Sequence, residues 1–262
     1  MQRIIEGMEL YLRTLARASS MHHQTGDVEW ISPLPNAVGP EIVFKIALDE
    51  KTAGNKVDTL LPGLREGTVP SFWFISPTAT PANMMHILSS KGFRDISDHE
   101  KPEQGMALDM QVISEWPVPN PGVTLSKVQS LSEFTAWVDV VNEALHGWPM
   151  LDTEHYFPLV SRAGLSFYLA FLHGKAVATA ATVRDGENAS LEFVSTLKEY
   201  RQQGVATAIC IEALRELRTN TVKTVTLRAS AEAIPLYTKL GFKPYFETVA
   251  MAYPKSQVDN GL

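Results

Sequence analysis

The sequence predicts an α+β protein with helices flanking β-structure in a three-layer α/β manner, divided into two tandem domains. Segments of period-2 alternation take turns with segments of helical period along most of the chain. At 262 residues the chain exceeds the common length of a single domain. Between the halves, Trp116-Pro117-Val118-Pro119-Asn120-Pro121-Gly122 sets three prolines and a glycine close together. Neither a helix interior nor a central strand accommodates them. The expected domains are therefore 1–119 and 122–255, with a polar, flexible tail at 256–262.

In the second half, Val123 to Val128 alternates as a strand, and Leu131, Phe134, Val138, Val141 and Leu145 mark one face of a helix. Asp152 suits the N-cap of a further short helix. Ser166 to Leu172 and Lys175 to Arg184 form two strands joined at His173-Gly174, and Asp185-Gly186 turns the chain into a strand from Ala189 to Thr196. An amphipathic helix follows from Val205 to Leu217, then a β-branched strand from Val222 to Ala229. Ser230 is placed to N-cap a helix from Ala231 to Leu240, which Gly241 stops, and Pro244 to Tyr253 supplies the last strand region. The first half repeats the end of this order. Ser71 to Ile75 is strand-like, Pro81 to Lys91 helical, Gly92-Phe93 follows, and Gly105 to Met110 is an apolar strand, which points to a duplication.

Composition narrows the function. A hydrophobic fraction of 45% and a charged fraction of 20% suit a packed core and exclude disorder. The net charge of -6 leaves no whole-chain basic footprint, so nucleic acid is not an expected partner. Cys210 is the only cysteine, which excludes an intrachain disulfide and a thiolate metal cluster, and its place on an apolar helix face assigns it to packing. His22-His23 lacks further ligands, so no metal is expected. The five tryptophans lack the interleaved basic residues of a single-strand binder and are expected to pack. With no membrane-length apolar run and no signal-peptide core at the N-terminus, the expected location is cytoplasmic, without a membrane partner.

The segment Tyr200-Arg201-Gln202-Gln203-Gly204-Val205-Ala206-Thr207 lies between a strand and an amphipathic helix. A Gly-containing turn at a helix start aims unpaired N–H groups and the positive dipole end at one point, which suits a phosphate or pyrophosphate. Gly204 permits close backbone approach, Ala206 leaves the next turn open, and Arg201 brings a permanent charge. The Walker pattern Gly-x-x-x-x-Gly-Lys-Ser/Thr and the dinucleotide Gly-x-Gly-x-x-Gly are both missing, which disfavours a nucleotide-binding reading.

This Arg-x-x-Gly-x-Ala pattern resembles the pyrophosphate loop of the GNAT superfamily of acetyl-CoA-dependent N-acetyltransferases. Ala233-Ile234-Pro235-Leu236-Tyr237-Thr238-Lys239-Leu240-Gly241-Phe242 is similar to that family's Ala-x-x-Leu-Tyr-x-x-x-Gly-Phe segment. The resemblance covers the second half and implies a mixed, mostly antiparallel sheet flanked by helices, with acetyl-CoA as cosubstrate, no metal and an amine acceptor. It implies that Val194, Ser195 and Thr196 offer a splayed strand edge to pantetheine and that Arg201, Gln202, Gln203, Gly204, Val205, Ala206 and Thr207 hold the pyrophosphate. It further implies that Ser230, where many members have Asn, lies near the cofactor, and that Tyr237 protonates or hydrogen-bonds the leaving sulfur. An N–H near Val194 would serve the oxyanion.

Glu192 is the candidate base, since strand alternation would aim it to the same side as Val194 and Thr196. Glu143, His146 and His155 are further candidates near the acceptor. The first copy has Leu88 four residues before Gly92, where Tyr237 stands four before Gly241, and carries no cradle before Ser71, so it is expected to be degenerate. An acyl-CoA-binding regulatory or scaffold protein without turnover is the alternative, and monomer and homodimer are both open.

Overall fold

Two mixed sheets flanked by helices organise the chain in the computed structural model, which describes residues 2–18, 22–33, 38–113 and 115–254. In chain order, the first half holds α1 (Gln2–Ala18), β1 (His22–Thr25), β2 (Val28–Ile31), β3 (Ile42–Ile46), α2 (Ala53–Glu66), β4 (Phe72–Ile75), α3 (Met84–Ser90), β5 (Arg94–Asp95) and β6 (Gln104–Asp109). The second half holds β7 (Val123–Lys127), α4 (Leu131–Val141), α5 (Thr153–Tyr156), β8 (Leu165–Leu172), β9 (Lys175–Asp185), β10 (Asn188–Thr196), α6 (Val205–Thr219), β11 (Thr224–Ala229), α7 (Ile234–Lys239), β12 (Lys243–Glu247) and β13 (Val249–Ala252). One sheet runs β1-β2-β3-β4-β13-β5, the other β12-β6-β11-β10-β9-β8-β7.

Each sheet contains one strand from the opposite half. β6 lies between β11 and β12, antiparallel to both, while β13 lies between β4 and β5 in the same sense. The strand region expected at Pro244 to Tyr253 is therefore two strands in two sheets, parted at Thr248, whose N–H donates to the Glu103 carbonyl at 2.9 Å. The exchange is reciprocal and matches the repeat seen in the sequence. In both halves the helix before it ends at a left-handed glycine, Gly92 at φ 95 and Gly241 at φ 99. The Phe93 N–H then donates to Leu88 O at 3.1 Å, as the Phe242 N–H does to Tyr237 O at 3.0 Å.

Three apolar clusters hold the layers. One packs α6 against the second sheet through Val205, Ile209, Cys210, Leu214 and Leu217. Another packs α2 and α3 on the first sheet around Trp73. The central one joins the halves, with Tyr11, Leu12, Leu15 and Ala16 of α1 and Phe134, Trp137 and Val138 of α4 sharing contacts with Ile42, Phe74, Leu169 and Ala181. Helix α1, to which the sequence reading assigned no structure, lies close to β11. A Cβ on Gly7 would fall 2.5 Å from Thr226 Oγ1, so only glycine allows that approach. Arg13 anchors the same helix, with Nε 3.0 Å from Glu29 and Nη2 3.2 Å from Glu9, while Lys45 reaches Glu29 at 2.9 Å.

Local expectations shift in two places. The long helix expected to Leu145 is α-helical to Val141 and continues as a single π turn, Asn142–His146. Asn142 explains the change, because its side chain closes the following loop, accepting from Met150 N–H at 2.9 Å and Leu151 N–H at 3.0 Å and donating to Leu151 O at 2.8 Å. Helix α7 begins at Ile234 instead of Ala231, with Ala233 at the cap, so Ser230 is not its N-cap. The Ser230 carbonyl instead receives Ala233 and Ile234 N–H in a tight turn. The tail beyond Pro254 lies outside the described residues.

Met251 is fully buried in the first sheet's cluster although it stands near the end of the sequence. Met251→Ala is expected to cost roughly 2–5 kcal/mol. Amide hydrogen exchange should then accelerate in β4 and β5, over 170 residues away in sequence for Phe72 to Ile75. Confinement of the effect to β12 would contradict the exchange.

Candidate active site

The site is built where β10 and β11 part. They run parallel and pair only at Asn188, Ala189 and Ser190 against Thr224, Val225 and Thr226. Beyond Ser190, β10 stays paired with β9, and its other edge faces a widening gap. Within this stretch the register to β9 shifts between Glu192 and Ser195, and Phe193 sits at φ 51, a β-bulge.

A buried hydroxyl relay holds the bulge. Thr179 Oγ1 lies 2.8 Å from Phe193 O and 2.6 Å from Ser195 Oγ. Thr179 has one hydroxyl proton, and a carbonyl can only accept, so Thr179 donates to Phe193 O and receives from Ser195. With that carbonyl drawn toward β9, peptide planarity turns the next N–H, that of Val194, the opposite way, into the gap. Ser195 is thus committed to the bulge by its side chain.

The bulge also corrects the expected alternation. Leu191 and Val194 both belong to the α6 face, whereas Phe193 belongs to the central cluster. Glu192 is registered with Ala181 of that central cluster, so it faces α1 and α4, opposite to Val194. Two residues of β10 occupy the space of one, which breaks the period of two. Tyr237 is buried on the α6 side with its ring 5.7 Å from Phe242. The carboxylate and the phenol therefore flank the gap from opposite faces of the sheet.

Their environments set their protonation. Burial pushes the Glu192 carboxyl up to about 7, opposed by the positive charge of Arg228 and by Ser190 beside it. Burial holds the Tyr237 phenol well above its ordinary range, with Cys210 and Glu192 adding to the shift, so it stays a neutral O–H donor. Tyr11, which carried no sequence signal of function, is buried on the Glu192 face, edge-on to Phe193 with ring centroids 5.3 Å apart, and its phenol too is raised by burial and then by Glu192.

The turn expected as a cradle leads directly into α6. Gln202 and Gly204 are left-handed at φ 61 and φ 77, with Gly204 at the helix N-cap position. The first hydrogen bond into α6 runs from Ala208 N–H to Gly204 O at 3.0 Å, so the N–H groups of Val205, Ala206 and Thr207 precede the helical ladder. A Cβ at Gly204 would meet only Asn120 Cβ, at 3.5 Å, so conformation and not crowding selects glycine. Asn120 of the Pro-rich connection fixes the turn by donating to Gln203 O at 2.8 Å, and Gln203 itself donates to Glu199 O at 3.1 Å.

Arg201 is placed differently from expectation. Its Nε donates to Thr196 O at 3.1 Å and its Nη2 to Ala144 O at 3.3 Å, so it clamps the cradle to the end of β10 and to the π turn while its charge remains at the rim. Ser230 is exposed at the end of β11. Glu143 is exposed on the π turn, and His155 packs edge-on to Tyr156 with ring centroids 5.2 Å apart. The side chain of His146 lies outside the described residues. Among the described residues no group of three or more His, Cys, Asp or Glu could hold a metal ion, and no helix is long and apolar enough to cross a membrane.

The first half has the same strand order but a closed gap. After the single pair Val43 with Trp73, Ala47 bridges Thr80, Leu48 N–H donates to Thr80 O at 3.1 Å and Thr80 N–H donates to Ile46 O at 3.1 Å. The Thr80 hydroxyl adds a bond to Leu48 O at 3.0 Å. The connection from β4 to α3 spans residues 76–83, whereas that from β11 to α7 spans only 230–233, and the extra length is what reaches across. Asp49 and Glu50 also stand just before α2, where a bound anion would be repelled.

Comparison with known proteins follows this division. Residues 133–242 match the family model described as "Acetyltransferase (GNAT) family". Among solved structures, a GCN5-related N-acetyltransferase from Kribbella flavida is similar over 93% of this chain and 97% of its own, with a TM-score of 0.68 at 18% identity. One from Sphaerobacter thermophilus covers 87% and 78% at 0.61 and 17%. A tandem GNAT protein from the clavulanic acid biosynthesis pathway covers 96% of both chains at 0.58 and 14%. At these identities the structures share the fold. No curated protein matches the sequence.

Thr179→Val removes the relay at nearly constant volume and leaves the Phe193 carbonyl unpaired. Destabilisation by about 1–3 kcal/mol is expected, read as a lower denaturation midpoint in urea.

Proposed function

We propose, from the match of residues 133–242 to the acetyltransferase (GNAT) family model, that the chain is an N-acetyltransferase whose second copy, residues 122–255, passes an acetyl group from acetyl-CoA to an amine. The observation that carries this is the end of β10–β11 pairing after Ser190, with a helix start following β10 and with Glu192 and Tyr237 on opposite faces of the sheet. The first copy, residues 1–119, serves as a scaffold, since its own backbone occupies the corresponding gap.

Acetyl-CoA, when bound, supplies the acyl group as a thioester. The residues present fit it. The N–H groups from Gln203 to Thr207 meet the pyrophosphate with the dipole of a fifteen-residue helix behind them. The edge of β10 at Val194 to Thr196, whose Thr196 carbonyl already accepts from Arg201, offers its remaining main-chain groups to the pantetheine arm. Val194 N–H, turned into the gap, is placed for charge developing on the carbonyl oxygen. Glu192 takes a proton from the ammonium form of the acceptor, for which a carboxylate titrating near neutrality is suited. Tyr237, neutral throughout, gives or shares its proton with the departing sulfur. Attack is direct, because Cys210 is fully buried in the α6 cluster and its thiol is pushed up to about 12.

Glu192 ties stability and activity to pH in opposite senses. Its folded pKa lies above that of a free carboxyl, so its contribution to stability is fully present below the free-carboxyl range and is lost as pH rises from there through about 7. The same ionisation creates the base, so thiol release in the presence of an accepted amine should rise as pH passes about 7. In Glu192→Gln that limb of the profile should vanish; an unchanged profile would remove Glu192 from the mechanism.

Calorimetric titration with acetyl-CoA tests the reading as a whole. Binding is expected for the native chain and loss of at least tenfold for Gly204→Glu, which puts negative charge and a strained φ in the cradle. A native chain that does not bind acetyl-CoA at millimolar concentration overturns the proposal, and binding without thiol release across a broad amine panel would favour a non-catalytic acyl-CoA sensor.

A further inference from the structure

On the face of the gap that carries Glu192, one charged side chain has no role in the fold. Arg228 is on β11, and its neighbours Leu227 and Ala229 belong to the α6 cluster, so it projects to the side of α1 and α4. It is exposed, and among the described residues it forms no salt bridge and donates no side-chain hydrogen bond. Its guanidinium lies over Phe74 of the first sheet, 5.2 Å from the ring centroid. An aromatic face orients a guanidinium without using its N–H donors. The donor fork is thereby held but left free.

Its surroundings come from both halves. Phe74 comes from β4 and Tyr11 from α1, while Glu192 and Phe193 come from β10. Arg228 exerts its field on both Glu192 and Tyr11, which places all three in one neighbourhood. Phe74, Tyr11 and Phe193 are aromatic and Glu192 is acidic, so Arg228 is the one cationic group among these residues. A permanently charged fork on the far side of a proton acceptor fits a molecule with an amine at one end and an anion at the other.

We propose that Arg228, seated on Phe74, binds an anionic group of the acceptor, so that the substrates of this site are amines that also carry a carboxylate. A planar carboxylate is preferred because it can engage two guanidinium N–H groups at once. Arg228 does not touch the acyl group. It is a specificity residue that sets the distance from the acceptor's anion to the nitrogen facing Glu192. The inference rests on the acyl-transfer reading and deepens it.

The test uses the full chain with acetyl-CoA and matched pairs of α- and ω-amino acids against their amides, which keep the amine and lose the negative charge. Thiol release should favour the best amino acid over its amide by roughly ten- to a hundredfold in kcat/KM, the range expected of a charge-assisted contact. In Arg228→Gln that ratio should collapse toward one, and Arg228→Lys should restore part of it, because charge returns without the fork. Acetyl-CoA affinity, measured by calorimetry on the same variants, should be unchanged and also reports that they are folded. Equal use of amino acids and amides, or a preference that survives in Arg228→Gln, overturns the proposal. Acetyl-CoA binding with no amino acid consumed overturns it as well, while absence of acetyl-CoA binding in the native chain is the separate failure of the acyl-transfer reading.

Discussion

The end of β10–β11 pairing after three residues is the constraint from which the rest of the site follows. Two parallel strands that part leave one edge of backbone without a partner, which is costly unless water or a ligand satisfies it. β10 tolerates the separation because β9 holds its other edge as far as Thr196. The bulge, pinned through Thr179, converts this open edge from a simple strand border into a site with direction. It turns Val194 N–H into the gap, sends Glu192 to one face and leaves Tyr237 on the other. Opposed placement suits a reaction that must remove a proton from one partner and deliver one to another without a shared pool.

The two halves apply the same architecture to opposite ends. Strand order, the intervening helix and the Gly-Phe turn recur, yet in the first half Thr80 zips the gap to Ile46 and Leu48. Where pairing simply ends in one copy, the other has an internal hydrogen-bonded seam. The filled copy is more than ballast: it lends β6 to the second sheet, takes β13 from it, and lays α1 and Phe74 against the face of Glu192. A site at such a junction can be tuned by either half.

The cradle shows how a local motif acquires a second duty. Arg201 reaches the carbonyls of Thr196 and Ala144, joining the turn before α6 to the end of β10 and to the π turn that Asn142 shapes. Asn120 makes a comparable link from the Pro-rich connection. Three segments distant in sequence are thereby fixed around one helix start, which preorganises its N–H groups and limits the ordering cost of binding.

Much of the fold was legible because it is written in short-range pattern. Alternation, helical spacing and turn residues located every strand and helix from Val123 to Gly241 within a few residues, and the Gly-containing turn before Val205 marked the start of α6 through local chemistry alone. Features outside that range were invisible. The alternation rule put Glu192 beside Val194 because nothing in Leu191 to Thr196 signals a bulge that depends on a hydroxyl across the sheet at Thr179. Helix α1, Tyr11 and Arg228 gave no functional signal, since their meaning arises only where the two halves meet. The last strand region looked continuous because an apolar strand reads the same whichever sheet receives it. The sequence by itself determined which segments are strands and helices, and which turn leads into the helix that begins at Val205. The tertiary structure alone decided which sheet each closing strand joins, which face each side chain takes and which gap stays open, because those outcomes depend on hydrogen bonds and packing between residues far apart in the chain.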